Sequence, residues 1–325
     1  MALPFRPRSV RLLAAASLFV PALACGRRAE DSIPAARRVV AAAPHADSTD
    51  VRWDTVRHVF GLRGTYEDGY FRVEFPRTDL AVRIGPDALE PEFGFVSHFS
   101  FAPAPGGGVM GMGEVVMRQD ESDAVLAEAQ RQGVEVAAVH NHLLGEEPRI
   151  VFMHMTAEGR ADSVATRFRA ILARTAAPAH PGEAPEPPAA DWTAVDAVLG
   201  PHEAAEGKVA EYVFPRKESH AVHGMSVRSA GVMETATEAA FQDLGGGRVA
   251  STGEMYVTPA EVAGVLRALD AHGLRLAALH NHMLDESPRM YFVHWYATGD
   301  GPTLARGVAA ALHETNSEQR SQAGK

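Results

Sequence analysis

Six of the 15 histidines fall at one spacing, used twice: His140, His142 and His154, then His280, His282 and His294. Side chains alternate across a strand, so the two histidines of each His-x-His share a face. If the next segment folds back antiparallel about Pro288, His294 comes to lie opposite His282, where cross-strand Cβ atoms are about 4.5–5.5 Å apart. Three imidazoles per copy would then meet. Zinc and similar divalent ions favour such a set, with neutral imidazole nitrogens at about 2.0–2.1 Å and a fourth position for water or a carboxylate. Glu114 and Glu254, each following a glycine, are the first choices for a fourth ligand or a general base, and Glu146 and Glu286 the second. Arg149 and Arg289 are placed to orient a carboxylate or contact an anion. Asn141 and Asn281 point to the opposite strand face, which suits a structural role. Metal affinity is expected to fall as pH drops through about 6–6.5, because imidazole must be neutral to ligate.

Three functional readings follow: divalent metal binding, a metal-dependent hydrolase with Glu114 or Glu254 as base, and a metal-free interaction module. The last arises because strand histidines can be satisfied by backbone carbonyls, and duplication copies structural residues as readily as ligands.

The histidines belong to a longer repeat with a period near 140 residues. Trp53 recurs as Trp192, Phe75-Pro76-Arg77 as Phe214-Pro215-Arg216, and Gly113-Glu114 as Gly253-Glu254. Between Val139–Gly159 and Leu279–Gly299, 11 of 21 positions are identical, so the chain is a tandem duplication. The expected division is repeat 1 over 52–175, a Pro/Ala-rich linker over 176–190, repeat 2 over 191–315 and a tail over 316–325.

Within the second copy, short strands are expected at Val209–Phe214, Ala221–Val227 and Val232–Phe241. A glycine turn at 245–247 leads to a strand over Arg248–Val257. Thr258, Pro259 and Glu261 start a helix with a capping box. Val262, Val265, Leu266 and Leu269 form its apolar stripe, and Gly273 ends it. Two strands carrying the histidines and a closing helix over Pro302–His313 complete the unit. This order predicts an α+β fold of two repeats with antiparallel strands. Met110, Met112, Met225, Met233 and Met255 are core candidates, whereas His220 and His223, which copy one lacks, are expected at the surface.

Charge excludes one class of partner. With 31 Lys+Arg against 41 Asp+Glu the formal charge is −10, which argues against nucleic acid, because phosphate neutralisation needs a basic surface. Residues 1–24 combine Arg6, Arg8 and Arg11 with an apolar run, the layout of a signal peptide. Ala22-Leu23-Ala24-Cys25 has the form of a lipobox, so Cys25, the only cysteine, is the expected lipidation site, followed by a flexible tether over 25–51. Several acyl chains would hold the protein at a membrane.

Ala278–Asp300 (ALHNHMLDESPRMYFVHWYATGD), Ala138–His154 (AVHNHLLGEEPRIVFMH), Thr252–Leu269 and the paired Phe-Pro-Arg strands resemble the LppY/LpqO lipoprotein family, a duplicated domain of unknown function, over about residues 52–315. The resemblance implies a bacterial protein that is secreted or lipid-anchored on the extracytoplasmic side of the cell envelope, and implies no particular activity. Copy one departs from it at Met153-His154-Met155-Thr156, where copy two has Val293-His294-Trp295-Tyr296. The expected cofactor is a divalent metal such as zinc; the small ligand or substrate is open.

Overall fold

The computed structural model describes residues 49–179 and 189–319. The expected signal peptide, Cys25, nearly all of the expected tether, the middle of the expected linker and the end of the expected tail lie outside the described residues. Among the described residues, no helix is long and apolar enough to cross a membrane.

Each repeat is a six-stranded antiparallel sheet with helices on one face. Repeat 1 runs α1 (Val51–Phe60), β1 (Thr65–Glu67), β2 (Tyr70–Pro76), β3 (Arg83–Ile84), β4 (Asp87–Ala88), β5 (Val96–Pro103), β6 (Val109–Arg118), α2 (Ser122–Gln132), β7 (Glu135–His140), β8 (Ile150–Gly159) and α3 (Ala161–Leu172). Repeat 2 runs α4 (Thr193–Leu199), β9 (Ala204–Glu206), β10 (Val209–Pro215), β11 (His220–Val222), β12 (Met225–Val227), β13 (Ala236–Gly245), β14 (Arg248–Val257), α5 (Val262–Ala271), β15 (Arg275–His280), β16 (Glu286–Ser287), β17 (Tyr291–Gly299) and α6 (Gly301–Leu312). The sheet orders β1-β2-β5-β6-β8-β7 and β9-β10-β13-β14-β17-β15 are the same topology twice.

Local chemistry sets the boundaries. The carboxylate of Glu261 accepts from the Thr258 N–H at 2.7 Å and from its hydroxyl at 2.9 Å, while the Glu261 N–H donates to the Thr258 carbonyl, so only the glutamate half of the expected capping box forms just before α5. Glycines 245–247, all with positive φ, turn β13 into β14. The Phe-Pro-Arg repeats end β2 and β10 with buried arginines. Arg77 donates to the Val116 carbonyl at 2.6 Å and pairs with Asp79 and Glu121. Arg216 likewise donates to the Tyr256 carbonyl at 2.8 Å and pairs with Glu261.

Strand alternation separates two environments. In repeat 1, Phe99, Phe101, Val115, Met153 and Met155 face the helices and pack with Trp53, Phe60, Val164 and Phe168. His98, Ser100, Met112, Glu114, Phe152 and His154 occupy the alternate positions and face away from them. This second face is covered by an arm from the other repeat. Val222, Met225, Val227, Val232 and Met233 pack on Tyr70, Ala102, Met110 and Met112 of the repeat 1 sheet. In return Val82, Leu89, Phe93 and Phe95 join a cluster with Val209, Ala240, Ala250 and Tyr296 of the repeat 2 sheet. Polar contacts lock the exchange: Gln242 accepts from the Glu90 N–H and donates to the Ala88 carbonyl, both at 2.9 Å. Arg248 pairs with Asp87 at 2.7 Å. The five methionines are buried as expected.

Several expectations need correction. Ala221–Val227 is the β11–β12 hairpin rather than one strand, because Gly224 turns the chain with a positive φ, and Val232 and Met233 lie in a 3-10 turn ahead of β13. β15 ends at His280, with Ala278 opposite His294 and His280 opposite Phe292, so His282 is not the cross-strand partner of His294. The chain leaves the sheet after His280 because residues 281–290 bond elsewhere. The Asn281 side chain donates to the Met283 carbonyl, and β16 pairs with β11 of the arm. His220 is buried rather than at the surface, because β11 carries it inward against the ring of Tyr256, 5.1 Å away.

Candidate metal centre

The two inner faces bring all six histidines into one cluster. Within copies the rings lie close, with centroids 4.8 Å apart for His140–His154, 5.0 Å for His140–His142, 4.9 Å for His280–His294 and 5.3 Å for His280–His282. Between copies they lie closer still. His140 stacks on its counterpart His280 at 3.5 Å, His142 on His294 at 4.0 Å, and His154 on His282 at 3.6 Å. Those pairs are what a two-fold relation between the repeats generates, with its axis passing between His140 and His280.

Among the described residues, four groups of side chains have ligand atoms all within 4.8 Å of one another: Glu114 with His140, His142 and His154; His140 with His280 and His294; His154 with His280 and His282; and His142 with Glu254 and His294. Only the first is drawn from one repeat. The expectation of a separate three-histidine set in each copy therefore changes: His280, His282 and His294 are not together in any one group, and two of them combine with His140 of the other copy. The sheets meet at the axis, so cross-repeat distances are as short as those within a repeat.

Glu114 and Glu254 lie where the glycine-led motif suggested. The Glu114 carboxylate is 3.2 Å from His154 Nε2 and 3.3 Å from His142 Nε2; that of Glu254 is 3.7 Å from the Nε2 atoms of His282 and His294. The loop residues do otherwise. Glu146 and Glu286 are in none of the four groups; they accept from the N–H of Ile150 (3.2 Å) and Met290 (3.0 Å), which fixes the loops after each His-x-His. Arg149 lies 3.2 Å from Glu146, and Arg289 donates to the carbonyls of Met283 and Leu284. Asn141 donates to the Ile150 carbonyl at 2.6 Å, and Asn281 reaches the Ala137 carbonyl of the other repeat at 3.2 Å.

Glu234 and His98 were missed in the sequence. Glu234 follows the 3-10 turn Gly231–Met233 in a left-handed conformation, φ 51°. One of its oxygens lies 3.2 Å from His154 Nδ1 and 3.3 Å from His282 Nδ1, and the other contacts His98 Nε2. Comparison of the copies is the signal that could have found them. The turn Pro91–Phe93 ends at Gly94 where repeat 2 has Glu234, and His98 pairs with Glu114 as Glu238 pairs with Glu254. Both positions break the symmetry with a polar residue on the inner face.

Burial, and then the neighbouring imidazoles, hold His140, His142, His280, His282 and His294 far below the usual histidine range, to about 2 for His280 and about 3 for His282. These five rings are neutral at pH 7 and keep a lone pair. Burial pushes Glu114 and Glu254 well up, reinforced by Glu234 for the first and by Glu238 and Glu114 for the second. Burial alone would also raise Glu234, but His98, His154 and His282 outweigh it and hold the carboxylate well below its ordinary range. His142, His154 and His282 each have a buried Nε2 without a hydrogen-bond partner, as does His140 at both ring nitrogens. Such orphaned acceptors cost free energy unless something binds them. Neutral imidazoles beside carboxylates are the donors that zinc and related divalent ions take.

A cavity of about 250 Å³ opens over the cluster, floored by Glu114, His142, Glu234, Glu254, His282 and His294. Its walls add Glu74, Glu92, Glu206, Glu211 and Glu238, with Arg72 the one arginine or lysine. Burial raises Glu211 to about 7 and Glu238 to about 8. The approach favours cations.

The sequence profile of a Domain of Unknown Function, DUF1259, matches residues 54–174 and again residues 193–314. No curated protein matches the chain. Among solved structures the chain is similar to a trimeric bacterial microcompartment shell protein, PduB, at 10% identity over 79% of this chain and 95% of that one, with a TM-score of 0.21. It is similar to EtuB from Clostridium kluyveri at 11% identity over 77% of this chain and 90% of that one, with a TM-score of 0.17. Likenesses with TM-scores this low carry no argument about fold or function.

Proposed function

The chain belongs to the DUF1259 family, and from that premise we propose that its two repeats jointly bind divalent metal ions, zinc foremost, through the shared histidine and glutamate centre. The observation that carries this reading is the set of buried imidazoles, His142, His154 and His282, whose Nε2 atoms have no hydrogen-bond partner and lie beside Glu114 or Glu254. Only one pair of the four groups shares no residue: His154/His280/His282 and His142/Glu254/His294. These sets therefore accommodate two ions at most, and two only when each is held by both repeats. Elemental analysis of untagged protein purified from its native source tests the reading. We expect one to two equivalents of a divalent metal, and less than about 0.2 equivalents would overturn it.

The cavity above Glu114 and Glu254 favours one further possibility, a hydrolase in which either carboxylate is the general base. A metal ion there would polarise a substrate or activate water. Glu254→Gln would then abolish turnover of a hydrolysable substrate while an ion held by His154, His280 and His282 persists.

The likeness to LppY/LpqO lipoproteins and the Cys25 motif support an extracytoplasmic protein held at a membrane by lipid. Fractionation tests this: Cys25→Ser is expected to move the protein from the membrane to the soluble fraction, and unchanged partition would refute it.

A further inference from the structure

The two repeats contribute equivalent histidines, yet one carboxylate beside them has no equivalent. Glu234 lies within 3.3 Å of Nδ1 atoms from both copies, His154 of repeat 1 and His282 of repeat 2. The Nε2 atoms of those rings are turned toward Glu114 and Glu254 respectively. Glu234 is in none of the four ligand groups, so it would act through the imidazoles rather than on an ion.

A neutral imidazole has one N–H and one lone pair, and a carboxylate beside Nδ1 selects the tautomer with the proton there. The lone pair is then on Nε2, the atom that faces the centre. Metal-ligating histidines are commonly oriented in this way by a carboxylate on the far nitrogen. We propose that Glu234 is the positioning residue of the metal centre: by accepting the Nδ1–H of His154 and of His282 it aims one Nε2 from each repeat inward and makes the two copies a single site.

Both contacts are at hydrogen-bond length but not aligned as hydrogen bonds in this structure. His98, whose Nε2 contacts the other oxygen, anchors the carboxylate from the repeat 1 sheet. Repeat 1 carries Gly94 at the corresponding position, also left-handed, with φ 104°. No counterpart of Glu234 therefore reaches His142 and His294, the pair related to His154 and His282 by the two-fold axis.

The inference rests on the metal-binding reading, and its test separates the two. Glu234→Gly installs the residue repeat 1 already has, at a left-handed position that glycine adopts without strain. Histidine-selective ¹⁵N NMR of metal-free full-length protein should show Nδ1–H tautomers at His154 and His282 in the wild type and mixed tautomers at these two rings in the variant. Zinc affinity should fall by about 10- to 100-fold, with partial recovery in Glu234→Asp, which keeps the carboxylate. Unchanged tautomers in Glu234→Gly, or Nε2–H forms in the wild type, would overturn the proposal. If neither protein binds zinc, the metal reading fails while the tautomer comparison still decides the role of Glu234.

Discussion

Consider metal binding between pH 6 and 8, with zinc added to protein freed of metal. Ordinary imidazoles titrate near about 6.5, so the histidine spacing alone predicts an affinity that is flat above pH 7 and falls below about 6.5. The site reverses this. Five of its six imidazoles are held far below their usual range and have no proton to lose at pH 6. Glu114 and Glu254 are pushed the other way by burial, which favours their protonated form, whereas a carboxylate must be ionised to ligate. Every proton released makes log K rise by one per pH unit, about 1.4 kcal/mol. An ion that displaces one carboxylate proton predicts about a tenfold gain in affinity per pH unit, and one held by histidines alone no such gain. Isothermal titration calorimetry in buffers of differing ionisation enthalpy counts the protons directly. With two ions bound, Glu254→Gln should remove one proton from that count and Glu114→Gln none, because only Glu254 belongs to the pair of groups that share no residue. An affinity level from pH 7 to 8 that falls only below 6.5 would show that the histidines, not the carboxylates, govern binding, and would refute this reasoning.

Other consequences can be checked separately. His282 has a folded pKa of about 3 against an unfolded value near 6.5. Its contribution to stability is therefore present above pH 6.5 and is lost as pH falls toward 3, by roughly 1.4 kcal/mol per pH unit. Urea unfolding of metal-free protein at pH 7, 6 and 5 should show this decline, and constant stability would contradict it. Arg77→Ala leaves Glu121 and Asp79 without their buried guanidinium, at a cost of about 3–5 kcal/mol; a loss under about 1 kcal/mol in the same assay would show that these contacts do not govern stability. A Cβ at Gly253 meets the Glu238 carbonyl oxygen at 2.2 Å and the Trp295 ring at 2.5 Å, whereas one at Gly113 first meets the Phe99 ring at 2.7 Å. Gly253→Ala should thus lower Tm more than Gly113→Ala, because a backbone oxygen yields less readily than a ring; the opposite order would disprove this account. His280→Ala removes a ligand from two of the four groups, so metal content should fall toward one equivalent or below.

The parts of the fold legible in the sequence are those that neighbouring residues determine. The Thr258–Glu261 turn, the glycine turn at 245–247 and the strand alternation around Glu114 and Glu254 each depend on chemistry within a few positions. The histidine motif identified the rings that meet but not how they meet. A hairpin about Pro288 assumed that the segment after His282 pairs with its own strand, whereas β16 pairs with β11. The exchanged arms were hidden because Val222 or Phe93 would serve any apolar interface, and nothing local names the sheet of the other repeat. Glu234 and His98 lack the repetition that singled out the histidines, and what marks them is the mismatch between aligned copies.

That mismatch has a bearing on ancestry. Had two separate identical chains met along this axis, any substitution beside it would have arrived in duplicate. A second glutamate at position 94 would bury another negative charge against the same small cavity, with no second His98 to receive it. Joining the halves in one polypeptide lets a single side chain change alone. Fusion thereby gave the molecule an asymmetry that a symmetric pair of subunits could not evolve.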